Sequence, residues 1–84
     1  MTPEQFHSAM SELLNSFCDR RAWDPLRIIL PCYPMPNGFT DELVNLATAL
    51  KTVHVRLRDY LTDLEAERLV SLLHAVETAL DRRG

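Results

Sequence analysis

Three histidines, two cysteines and a handful of paired carboxylates are the residues of this chain that could bind a metal or drive a reaction. Zinc needs ligands that converge from close spacing, such as Cys-x₂-Cys or His-x₃-His. His7, His54 and His74 have no other His or Cys three or four residues away. Nucleophilic catalysis needs a Ser, Cys or Thr beside a base that a third group orients. Cys18 follows His7 by eleven residues, which on one helix is roughly 16 Å. That distance excludes a direct pair within a single helix. The acidic pairs Asp41-Glu42 and Glu65-Glu67 fall in the first turns of helices, where the helix dipole already accounts for them. With two glycines in total, the chain has no Gly-rich phosphate loop. The expectation is no catalytic residue, no metal site and no cofactor.

The elements that would position these side chains are helical. Thr2, Pro3 and Gln5 have the order of an N-cap, a first helical residue and the third position of a capping box. Phe6, Met10, Leu13, Leu14 and Phe17 follow at helical spacing, predicting a helix over about 3–21 with a narrow apolar stripe. Asp24-Pro25 reads as a second cap, for a short helix over 25–30. Leu26-Arg27-Ile28-Ile29-Leu30 has strand-like composition, but a lone strand has no partner in this chain. Residues 31–40 hold three prolines and an Asn-Gly turn and form the one long connector.

Thr40 caps a helix over about 41–61, with Asp41 and Glu42 at its positive end and Phe39 placed to staple onto Val44. Leu43, Leu50, Leu57 and Leu64 recur every seven residues beside Leu46, Val53 and Tyr60, a heptad seam. Thr62-Asp63-Leu64-Glu65 then has the form of a capping box, which ends one helix and starts the next, over 63–82. Two long helices joined with almost no loop make an antiparallel hairpin. Such a hairpin puts His54 near Leu69 or Val70 and leaves His74 about five residues further from the turn, so the two histidines do not meet. The fold class is all-α: one domain over 1–84, built as a small helical bundle.

The apolar arc of the last helix, from Ala79 and Leu72 through Leu80, Leu73 and Leu69 to Val70, spans roughly half its circumference. One neighbour does not cover so wide an arc. The helix over 3–21 can supply one cover and a second copy is the expected other, with Val44, Val55, Leu72 and Ala79 as self-association residues of a homodimer. The alternative is a monomer whose core that helix and the 31–40 connector close together.

Composition narrows the function classes. A net charge of −3 from nine basic and twelve acidic residues argues against nucleic acid, which needs a basic patch. No apolar run approaches a membrane span, and the start of the chain lacks the basic and apolar segments of a signal peptide, so the expected location is cytoplasmic. In that compartment Cys18 and Cys32 are expected as free, largely buried thiols. Eight of the nine basic residues are Arg, a bias that points to a bacterial or phage origin. Trp23, Tyr33, Met35 and Phe39 could form an aromatic and methionine patch for a partner, or fold back to plug the bundle. The expected function is a small protein–protein interaction module, such as a regulator, inhibitor, antitoxin or secretion chaperone. The alternative is a dimeric DNA-binding regulator using Arg56, Arg58 and Arg68.

Overall fold

In a computed structural model the chain is all-α, and the structure describes residues 2–33 and 40–83. Helix α1 is Pro3–Asp19, α2 is Trp23–Ile29, α3 is Thr40–Arg56 and α4 is Asp63–Arg83; short 3₁₀ turns cover Leu30–Cys32 and Arg58–Tyr60. Among the described residues there is no strand.

Helix α1 starts as its sequence dictates. Thr2 Oγ1 accepts from the Gln5 N–H at 3.2 Å and the Gln5 side chain accepts from the Thr2 N–H at 2.9 Å. Met10, Leu13 and Phe17 face the core, one stripe at three- and four-residue spacing. The helix ends in a Schellman motif: the Ala22 N–H donates to Phe17 O at 2.8 Å and the Arg21 N–H to Cys18 O at 3.1 Å. Arg21 therefore stands at φ 54°, the left-handed position that glycine usually fills. The Trp23 N–H then donates to Arg21 O, with Ala22 at φ −82° and ψ 77°, an inverse γ-turn.

This tight exit corrects the expected start of α2. Helix geometry begins at Trp23, Ala22 is the cap residue, and Asp24 makes no capping bond. Asp24 still lies in the first turn, where the dipole favours it. Proline fits there too, because the missing N–H has no intrahelical acceptor.

The heptad seam is shorter than its repeat. Leu43, Leu46, Leu50 and Val53 are buried, Leu57 is half-buried, and Tyr60 and Leu64 are exposed. Helix α3 stops at Arg56, several residues before the expected end. A capping box at Thr62 needs an extended N-cap, and two helices about 8–10 Å apart cannot reverse without a short link. Residues 57–62 are that link. The box itself forms: Glu65 N–H donates to Thr62 Oγ1 at 3.1 Å, and Glu65 Oε1 accepts from the Thr62 N–H at 3.0 Å.

Helices α3 and α4 form the hairpin, α1 packs on α4, and α2 with its 3₁₀ turn packs on α3. The wide apolar arcs are thus covered for the most part from within the chain, by a different helix on each arm, although Val70 at the edge of its arc stays exposed. Leu72 is completely buried in this core and presents nothing to a second copy, against the expectation that it does. Ala79 packs half-buried at the core margin, while Val44 and Val55 are exposed. The cysteines are free thiols, but Cys18 is exposed and only Cys32 is partly enclosed, so the expected burial fails for Cys18. No helix among the described residues is long and apolar enough to cross a membrane.

Candidate partner-binding surface

The corner between α1 and α2 carries the largest exposed side chain of the molecule. Because α2 begins directly at Trp23, the indole starts a helical face that continues through Leu26, Arg27, Leu30 and Pro31. Leu26 turns into the core, yet Trp23 and Leu30 remain 55% and 52% exposed. With Cys18 from the end of α1 these residues line a shallow, open groove of about 810 Å³. On its other side Trp23 borders a second concavity, about 280 Å³, lined by Arg20, Arg21, Ala22, Asp24, Pro25 and Tyr60. The indole is a ridge between two hollows.

Directly beside this ridge is a polar cluster of opposite character. Glu65 is only 1% exposed, yet both carboxylate oxygens are saturated with donors. Oε2 accepts from Ser16 Oγ at 2.6 Å and from Arg20 Nε at 2.9 Å, and Oε1 accepts from Arg20 Nη2 at 2.6 Å and from the Thr62 N–H. Arg20 also donates to the Tyr60 carbonyl and lies 5.9 Å from the Phe17 ring centroid. The fork of Arg20 matches the carboxylate in two parallel bonds, the strong form of such a pair. Burial by itself pushes the Glu65 carboxyl up, but the bonds from Arg20, Ser16 and the Thr62 backbone overcome it and hold the group at about 2. The bond to Glu65 raises Arg20 in turn, against its own desolvation. With every acceptor site filled, this cluster is a strut that ties α1 to the start of α4.

The remaining candidates fall elsewhere. Tyr33 turns inward: it is half-buried, packs on the core, and its hydroxyl is hydrogen-bonded to His7 Nδ1 at 2.6 Å. Its ring centroid lies 5.8 Å from that of His7, and burial raises the phenol pKa. It is therefore not part of the Trp23 surface but pins the end of the 3₁₀ turn to α1. Met35, Phe39 and the staple expected between Phe39 and Val44 lie outside the described residues. His54 is half-buried, as expected, and its enclosed Nδ1 has no hydrogen-bond partner among the described residues. His74 is exposed and lines a separate hollow along α4 with Ser71, Ala75, Thr78, Ala79 and Arg82. Among the described residues, no three His, Cys, Asp or Glu side chains come together to hold a metal ion. Of the three arginines near the hairpin turn, Arg68 sits 3.5 Å from Glu12 of α1.

Sequence reasoning singled out Trp23 but not Cys18, Arg27 and Leu30, which line the groove beside it. The signal was present: Leu30 follows Trp23 by seven residues, one face of a helix that begins at Trp23 rather than at Pro25. The Ser16–Arg20–Glu65 strut had no such signal. No family model, curated protein or solved structure matches the chain. The surface is therefore read from its own chemistry: an apolar ridge with arginines at its edges.

Proposed function

We propose that this protein is a small cytoplasmic interaction module, a regulator, inhibitor, antitoxin or secretion chaperone in kind, that acts by binding another protein and not by catalysis. The observation that carries the reading is the exposed Trp23–Leu30 face. A small helical protein gains nothing in its own stability from an indole left in water, since burying such a side chain contributes about 2–3 kcal/mol. Tryptophan and arginine are also the residues that dominate binding energy in protein interfaces. The small size, net acidity and helicity of the chain fit the same class.

The test compares proteins retained from a cell extract by the intact chain with those retained by Trp23→Ser. A partner that the intact chain holds and Trp23→Ser loses, with both melting at the same temperature, supports the reading. If no retained protein depends on Trp23, the surface has no such role.

A further inference from the structure

We infer that the Trp23 ridge is built for an acidic amphipathic segment of a partner protein, one that seats an apolar anchor beside the indole and offers carboxylates to the flanking arginines. This inference rests on the interaction reading above and names the chemistry of the partner.

The charges around the ridge run against the charge of the whole chain. The protein carries −3, yet the two hollows that meet at Trp23 are lined by Arg20, Arg21 and Arg27 against Asp24 alone. The charge of Arg20 is already met by Glu65. Arg21 and Arg27 have no ion-pair partner among the described residues, so two guanidinium groups flank the indole and one carboxylate opposes them. Arg21 is also held in a left-handed conformation, where glycine would be less strained. A positively charged rim around an apolar centre is complementary to an acidic segment with an apolar stripe.

Other occupants fit less well. A second copy paired through this same face would set one arginine-bearing rim against another, with only Asp24 on each side to compensate. Nucleic acid needs a longer run of cations than two, and the net charge of the protein repels it. The face from Trp23 to Pro31 spans roughly 12 Å, the length of about two turns of a partner helix laid along it.

The decisive experiment selects peptides from a random displayed library on the full-length protein and discards those that also bind Trp23→Ser. The expected survivors carry a bulky apolar residue flanked by Asp and Glu. One survivor is then titrated against the protein while the emission of Trp23, the single tryptophan, is followed. Binding should shift that emission to the blue. Arg21→Glu combined with Arg27→Glu should weaken binding about tenfold or more, while a version of the peptide with Lys for Glu should gain on that variant. Survivors that depend on Trp23 but are neutral or basic would overturn the acidic partner and leave the interaction surface standing. A library without any Trp23-dependent survivor would remove both. Concentration-dependent dimerisation that Trp23→Ser abolishes would give the ridge to a second copy and overturn the inference. Circular dichroism melts of each variant separate loss of binding from loss of fold.

Discussion

Two clusters meet at the corner where α1 ends, and they have opposite solvent histories. On one side Glu65 is buried and every oxygen is bonded, to Ser16, Arg20 and the Thr62 N–H. On the other, Trp23 is large, apolar and mostly in water. A buried charge survives only when it is paired and hydrogen-bonded, so the first cluster is explained by the fold. An exposed indole among arginines is not. The perturbed carboxylate is accounted for by the bonds that its burial requires. The buried carboxylate of Glu65, held well below the usual range by its donors, ties α1 to α4, while the ridge beside it is apolar and exposed.

The largest effect should come from breaking the strut. Glu65→Ala removes the reciprocal cap and leaves Arg20 without its counter-charge, and should cost about 3 kcal/mol of stability, read from urea denaturation. A loss under about 1 kcal/mol would mean that the strut is decoration and that the comparison fails on its structural side. The pH dependence is the next effect. The carboxyl of Glu65 is held at about 2 in the folded protein, below about 4.3 for an unfolded Glu. Its contribution is therefore present above that unfolded value and is lost as pH falls from about 5 to about 2, on the order of 2 kcal/mol after allowing for the partial exposure of Arg20. Acid denaturation of Glu65→Gln beside the intact protein should show that part of the pH slope removed.

Smaller changes sharpen the other side. Arg21→Gly relieves a left-handed arginine and should stabilise the protein by up to about 1 kcal/mol, while weakening any partner that uses the guanidinium. A thermal melt and a binding titration of the same variant should move in opposite directions. Trp23→Ala should change stability by less than about 0.5 kcal/mol, against the 3–5 kcal/mol typical of a buried tryptophan. A loss of the larger size would place Trp23 in the core and dissolve the contrast between the two clusters.

Much of the bundle was legible in short stretches of sequence. The Thr2–Gln5 and Thr62–Glu65 boxes predict both helix starts because each box is a pair of bonds across three residues. The stripe Met10, Leu13 and Phe17 reads directly as a buried face, as does Leu43, Leu46, Leu50 and Val53. Local pattern misled where the chain changes direction. The heptad continues on paper through Tyr60 and Leu64, but the helix ends at Arg56 because the hairpin must turn. The expected cap at Asp24 failed for a similar reason: the Schellman exit of α1 delivers the chain to Trp23 already in helical position.

What the sequence determined by itself was the helical class, the two capping boxes and the core stripes, because those depend on bonds and periodicities within about one or two helical turns. What only the tertiary structure decided was which element covers which. It put α2 on α3 and α1 on α4, enclosed Leu72 in the chain's own core, and left Trp23 and Leu30 outside. It also brought Ser16 and Arg20 to Glu65 across 49 and 45 residues of sequence. Contacts at such separation depend on how whole helices pack, and no periodicity or spacing within one helix carries that information.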